Sequence, residues 1–257
     1  MPWDPDQYLK FKEQRFAPFA DLCAFITKRD HLSVIDLGCG TGELTRRMTD
    51  SLTASSVIGI DSSERMLEQT AAFATDGLSF SRRAVEEVNG SWDLVISNAV
   101  MQWVDDHNSL IPHLVSLVKP GGQLLVQVPS NEQNPSHASI RDIAAEEPFC
   151  SALNGWVRIS PVLEIDAYAA LLNRAGVGDI IAVEKIYCHQ LPDADAVAEW
   201  TRGTTLIPYL ERLSPELQER FLTRYRDRLR TYWPTGPVFY TFRRTFFGGI
   251  RSGKPCR

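Results

Sequence analysis

Cysteine is scarce and unpatterned: Cys23, Cys39, Cys150, Cys188 and Cys256 never fall into a Cys-x-x-Cys pair. That excludes a thiolate zinc site and a disulfide framework, and no metal is expected. Long apolar runs are missing too, since none approaches the ~20 residues that a membrane-spanning helix requires. The opening Met1-Pro2-Trp3-Asp4-Pro5-Asp6 has neither a basic n-region nor an apolar h-region, so no signal peptide is expected and a cytoplasmic location is. Positive charge is not in excess, with 27 Lys and Arg against 32 Asp and Glu and a net charge of −5. Nucleic acid and anionic membrane are therefore excluded as main partners, because both need clustered cations. A small anion held by a few local arginines is not excluded. No repeat, low-complexity tract or separate linker interrupts the chain. What is present, 44% hydrophobic and 23% charged residues over 257 positions, fits one soluble α/β domain, residues 1–257, with added subdomains.

The organising stretch is Val34-Ile35-Asp36-Leu37-Gly38-Cys39-Gly40-Thr41-Gly42. A β-branched apolar run that stops at glycines reads as a buried strand entering a tight turn. Glycine permits positive φ and lets a ligand approach the backbone. Glu43–Thr53 is predicted helical, so the turn sits at a helix N-terminus. A dinucleotide fingerprint would need Gly-x-Gly-x-x-Gly, whereas position 43 is glutamate. Asp36, two residues before the first glycine, suits a cationic ligand and would repel a pyrophosphate.

The rest of the chain alternates strand and helix. Helical spacing of Phe16, Phe19, Leu22, Cys23 and Ile26 predicts an amphipathic helix within an N-terminal cap, residues 1–30. Predicted strands are Val57–Asp61, Leu78–Arg82, Trp92–Asn98, Gln123–Val128, Ile180–Gln190 and Val238–Ile250. Helices are expected at Leu110–Leu117, His137–Ala145, Asp166–Ala175, Asp195–Thr204 and Pro215–Trp233, and a turn at Lys119–Gly122. Asp61 ends its strand ~20 residues past the glycine turn, where an acid meets ribose hydroxyls in nucleotide folds. A carboxylate accepts two such donors. Period-two counting puts Tyr240, Phe242, Arg244 and Phe246 on one face of the last strand and Arg243 on the other.

The glycine turn with its acid resembles motif I of class I S-adenosylmethionine-dependent methyltransferases. The resemblance implies a Rossmann-like α/β sheet of six parallel strands plus an antiparallel seventh, with a helical cap inserted. It also implies S-adenosyl-L-methionine as cofactor. Asp36, Gly38 and Gly40 would hold the amino-acid part of that cofactor, with Asp61 and Ser62 at the ribose and Met66 at the adenine. Tyr8 and Arg15 would close a lid, and Asn98 would border the cofactor and the acceptor together. The family's usual adenine-reading aspartate is absent. Val85 stands there, leaving either Glu86 or backbone atoms to read the base. Asn/Asp-Pro-Pro-Tyr/Phe after the fourth strand is lacking, which argues against methylation of DNA amines.

Further stretches resemble the trans-aconitate methyltransferase family. They are Trp3…Tyr8-Leu9-Lys10-Phe11, Asn98-Ala99-Val100-Met101-Gln102-Trp103-Val104, Pro135-Ser136-His137, Glu199-Trp200-Thr201-Arg202-Gly203-Thr204, Pro208-Tyr209-Leu210 and Phe242-Arg243-Arg244-Thr245-Phe246-Phe247. The implied reaction is O-methylation of a carboxylate of trans-aconitate or a related small polycarboxylic acid, giving a monomethyl ester. Such a carboxylate, with pKa ~4, is already ionised and needs no general base, so no catalytic side chain is expected. Segments 130–165 and 191–237 would form the substrate cap. Arg202, Arg243 and Arg244 would bind spectator carboxylates, with Trp103, His137 and Tyr209 as neutral walls. A monomer is the expected state. Two alternatives stay open: a carboxyl methyltransferase acting on malonyl thioesters of an acyl carrier, and a non-catalytic S-adenosylmethionine-binding protein.

Overall fold

The computed structural model describes residues 12–53 and 55–253, with side chains from residue 16 onward. One mixed sheet of seven strands runs in the order β3-β2-β1-β4-β5-β7-β6. The strands are β1 (Ser33–Leu37), β2 (Ser56–Asp61), β3 (Leu78–Arg82), β4 (Trp92–Asn98), β5 (Val118–Pro129), β6 (Val177–Leu191) and β7 (Val238–Arg251). β7 lies antiparallel to both β5 and β6, and the other six strands share one direction. That is the expected sheet.

Its near-continuous apolar strands are covered on both faces, as a parallel sheet requires. On one face Ile35, Leu37, Val95, Leu124 and Val126 pack with α4 (His107–Ser116) and α7 (Ile165–Arg174). On the other, Val34, Leu94, Ile96 and Leu125 pack with α1 (Lys12–Ala24) and α2 (Glu43–Asp50). Adjacent residues of one strand thus serve opposite cores, the period of two that strand geometry dictates. α1 is also tied polarly. Asp21 accepts from Lys185 at 2.6 Å and from the Tyr187 hydroxyl. Beyond its end, Thr27 N and Phe25 O both bond the Gln123 amide at 2.9 Å.

A third apolar cluster belongs to the cap. It joins α5 (Pro135–Ala144), α6 (Phe149–Ala152), α8 (Ala194–Arg202), α9 (Ile207–Leu210) and α10 (Pro215–Tyr232) around Tyr209, Phe221, Tyr225 and Leu229. Val238, Tyr240 and Phe242 of β7 enter this cluster, whereas Phe246 and Phe247 of the same strand enter the two sheet cores. The changeover falls at Arg244, which pairs with Pro129, the last residue of β5.

One expectation changes, and two elements are new. The Lys119–Gly122 turn is absorbed into β5, where Trp92 pairs with Val118 and Leu94 with Gln123, so the extra residues form a bulge. The four-residue helices at Phe149–Ala152 and Ile207–Leu210 are too short for a periodic signal.

Candidate active site

Strand order reverses between β1 and β4, and a ligand crevice opens outside the carboxyl ends of strands at such a point. Gly38 follows β1 there and Asn98 closes β4. Gly38, Gly40 and Gly42 have φ of 81°, 57° and 83°, the left-handed region open to glycine. A Cβ on Gly38 would stand 2.1 Å from Val100 Cγ2, and one on Gly40 3.2 Å from Met66 Cε. The turn therefore needs these glycines for conformation and for space.

A groove of about 290 Å³ runs from this turn across β2 to β4, lined by Gly38, Gly40, Asp61, Ser62, Met66, Val85, Glu86, Asn98 and Trp103. Asp61 Oδ2 accepts from Gly40 N at 2.9 Å and Oδ1 from Ser63 N at 2.8 Å, which locks the carboxylate at the groove wall. Burial raises its pKa, and those backbone donors oppose the rise. Ser63 caps the short helix α3 (Glu64–Leu67), which sets Met66 over the groove. Nine of the eleven expected cofactor residues are described in full, and eight line the groove. Asp36 does not. It is buried beneath the turn, where Oδ2 accepts from Thr45 Oγ1 at 2.6 Å, so it braces the turn against α2. Burial pushes its pKa up to about 6. Tyr8 and the side chain of Arg15, and with them the expected lid, lie outside what is described.

After β4 the chain turns sharply at Ala99, a non-glycine at φ 57°. Strain of this kind clusters at functional sites. Here Gln102 Nε2 bonds Ala99 O at 2.7 Å, and a 3-10 turn over Met101–Trp103 follows. The turn aims Asn98, Ala99 and Trp103 into the groove and also into a second cavity of about 90 Å³ on its far side. Among the described residues, the buried Asn98 Oδ1 and Gln102 Oε1 atoms have no hydrogen-bond partner. Buried polar atoms are nearly always satisfied, so an orphan at a cavity junction fits a ligand site.

The second cavity is the candidate acceptor side. His137, Arg158, Trp200, Thr205, Phe242 and Arg244 line it together with Trp103. Arg244 is buried at the end of β5, its guanidinium 4.8 Å from the Phe242 ring centroid. Three expected substrate residues are elsewhere. Arg243 faces the opposite side of β7, where it pairs with Glu184 at 3.1 Å, because strand alternation sends neighbours to opposite faces. Arg202, at the end of α8, is about half exposed and pairs with Glu199 at 3.7 Å. Tyr209 is a core residue beside Phe221 and Trp156, and its hydroxyl accepts from Arg158 N at 3.1 Å. It holds the segment that carries Arg158.

Arg158 itself escaped the sequence reading. Its guanidinium lies 4.4 Å from the Trp103 ring centroid and donates to Gln102 O. Among the described residues it forms no ion pair, and burial lowers its pKa. It sits in an irregular stretch between α6 and α7, where no periodicity marks a position. Its local signal was only a lone cation in an otherwise apolar and small-residue stretch, Gly155-Trp156-Val157-Arg158-Ile159.

Residues 11–178 match the family described as methyltransferase domain. A trans-aconitate 2-methyltransferase of Deinococcus radiodurans is 42% identical over 98% of this chain and 99% of its own length. One from Methylobacterium nodulans is 37% identical over 97% and 98%. The chain belongs to the trans-aconitate 2-methyltransferase family. It is thus a methyltransferase whose methyl donor is S-adenosyl-L-methionine. A solved structure titled as Haemonchus contortus phosphoethanolamine N-methyltransferase 2 in complex with S-adenosyl-L-methionine aligns at TM-score 0.56. It is 16% identical, over 92% of this chain and 52% of its own, a likeness of fold. The groove fits such a cofactor. Glycines remove side chains where a backbone approach is needed, a locked carboxylate suits vicinal hydroxyls, and Met66 and Val85 offer apolar walls to a base. No helix among the described residues is long and apolar enough to cross a membrane.

Proposed function

We propose that this protein transfers a methyl group to one carboxylate of trans-aconitate, or of a closely related small polycarboxylic acid, and releases the monomethyl ester. The observation that carries this reading is Arg158: a half-buried guanidinium, stacked on Trp103, forming no ion pair among the described residues, in a cavity that shares Asn98, Ala99 and Trp103 with the cofactor groove. Burying a cation is costly unless an anion meets it. A guanidinium fork matches a carboxylate bidentately.

The bound cofactor supplies a methyl carbon on a sulfonium, which leaves as a neutral thioether. The protein's own work is placement. Asp61 and the glycine turn hold the nucleoside end, while Arg158 and Arg244 grip carboxylates that do not react. The reacting carboxylate is left at the shared wall of Asn98, Ala99 and Trp103, free of a guanidinium that would tie up its lone pairs. No residue has to remove a proton, because the acid is already ionised at neutral pH. Holding the two reactants in line contributes about 7–11 kcal/mol of the barrier in well-ordered cases. Trp200 and Phe242 keep the cavity apolar around the charges and strengthen each pairing.

A labelled-methyl transfer assay over trans-aconitate, other di- and tricarboxylates and carrier-bound malonyl thioesters tests the reading. Base-labile label on trans-aconitate, identified as the monomethyl ester by NMR, is the expected result. Transfer to no free polycarboxylate overturns it.

A further inference from the structure

One wall of the acceptor cavity has a hydrogen-bond polarity that can be worked out proton by proton. Asn134 Oδ1 accepts from Ser136 N at 3.0 Å, while Asn134 Nδ2 donates to Thr241 O at 3.0 Å, so the amide orientation is fixed. Ser136 Oγ lies 2.8 Å from that Oδ1, and its one hydrogen must go there. Ser136 Oγ is then only an acceptor towards its other neighbours, Tyr240 OH at 2.9 Å and His137 Nδ1 at 3.0 Å. His137 Nδ1 therefore carries hydrogen. The ring is buried beside the cations Arg141 and Arg158, and its pKa is lowered to about 3, so it is neutral and Nε2 is bare. Thr205 Oγ1, 3.1 Å from Nε2, donates to it. That leaves Thr205 nothing to offer the cavity but lone pairs.

We propose that His137 is a positioning residue which fixes Thr205 as a hydrogen-bond acceptor. The pair would form a wall that turns substrate carboxylates away and towards Arg158 and Arg244. The inference rests on the carboxylate-acceptor reading above and deepens it. A carboxylate oxygen accepts only, and an acceptor facing it repels it. With Thr205 so fixed, a tricarboxylate can enter with charged arms on the arginine side and its neutral carbon chain on the Thr205 side. The wall thereby selects which carboxylate is left to react.

Nitrogen NMR of the histidine ring and the regioisomer ratio of the methyl esters test this together. The expected ring has a protonated Nδ1 and a bare Nε2. His137→Leu frees the Thr205 hydrogen for a carboxylate and is expected to shift the ester ratio by about tenfold. Thr205→Val, which can donate nothing, keeps the ratio within about twofold of wild type. The double variant His137→Leu/Thr205→Val returns to the wild-type ratio, and His137→Gln, whose amide oxygen accepts from Thr205, keeps it. A merely structural histidine would lower activity without this pattern. Protonation at Nε2, an unchanged ratio in folded His137→Leu, or a double variant that keeps the His137→Leu ratio overturns the wall alone. Failure of wild type to esterify any polycarboxylate overturns the carboxylate reading, and the wall with it.

Discussion

Replacing Arg158 with methionine separates the substrate role of the guanidinium from its structural one. Methionine keeps the unbranched apolar stem beside Trp103 and removes the guanidinium with its charge. In the free enzyme the guanidinium gains a stacking contact with Trp103 and a hydrogen bond to Gln102 O, and loses part of its hydration. The stacking contact is worth about 0.5–2 kcal/mol. The charged hydrogen bond contributes about 1.5–3 kcal/mol. Desolvation of a half-buried cation opposes both by several kcal/mol. Free-enzyme stability should therefore change by only about 1 kcal/mol, or about 2–4 °C in Tm for a chain of this size. Substrate binding has no such compensation, because the charge-assisted bonds to a carboxylate disappear outright. At about 1.5–3 kcal/mol the expected rise in KM for trans-aconitate is ten- to hundredfold or more. Calorimetric affinity for S-adenosylmethionine should stay near wild type. Steady-state kinetics with paired thermal denaturation gives both readouts. A KM that moves less than about threefold in a folded variant would refute the role of Arg158 as the carboxylate anchor.

Asp61→Ala should weaken S-adenosylmethionine binding by about a hundredfold, since a locked charged acceptor is lost together with its two backbone bonds, and titration calorimetry checks this. Gly38→Ala should abolish cofactor binding and lower Tm. The added Cβ meets Val100 Cγ2 at 2.1 Å, and Gly38→Ala/Val100→Ala should relieve the clash only in part, because the Cβ at position 100 still stands 2.8 Å away and the left-handed strain of about 1–2 kcal/mol remains. Acid stability should show two opposed contributions. His137 binds its proton only near pH 3 when folded and near 6.5 when unfolded, so its contribution is complete above 6.5 and lost as pH falls to 3. Asp36 keeps its proton up to about pH 6 when folded but only to 3.8 unfolded, so its contribution is complete below 3.8 and lost as pH rises to 6. Denaturant titrations from pH 4 to 7 should therefore show a flatter acid limb in His137→Gln and a steeper one in Asp36→Asn than in wild type.

The cofactor half was legible because it is local. Gly38, Gly40, Asp61, Ser62 and Met66 occupy strand ends and the turns after them, and a strand end fixes where a side chain stands. Val85 and Glu86 also line the groove although the usual aspartate is missing, because position in the fold, more than residue type, brings them there. Asp36 ends up beneath the turn, off the groove wall. Its partner Thr45 lies nine residues on, and no spacing rule reveals that bond. On the acceptor side the two faces of β7 were resolved by alternation, which brought Arg244 in, but the same alternation sends Arg243 away to Glu184. Arg202 and Tyr209 lie in helices whose facing is set by how α8, α9 and α10 pack together, a tertiary choice. Arg158 lies in irregular chain, where sequence gives no geometry at all.

β7 contributes to all three hydrophobic cores and closes the edge of β5, and this bears on how the chain is made. Leu124, Leu125, Val126 and Val128 of β5 are apolar and buried, yet the partners of residues 123–129 are residues 244–250. During synthesis the cradle from β1 to β4 can assemble while the β5 edge stays open for more than a hundred further residues. An unpaired apolar edge is a template for the wrong strand. The cap is in the same position, because Val238, Tyr240 and Phe242 complete its core from the same late segment. The β7 segment thus acts as a clasp, and the candidate acceptor cavity, with Arg244 at the changeover, comes into being only when that clasp shuts.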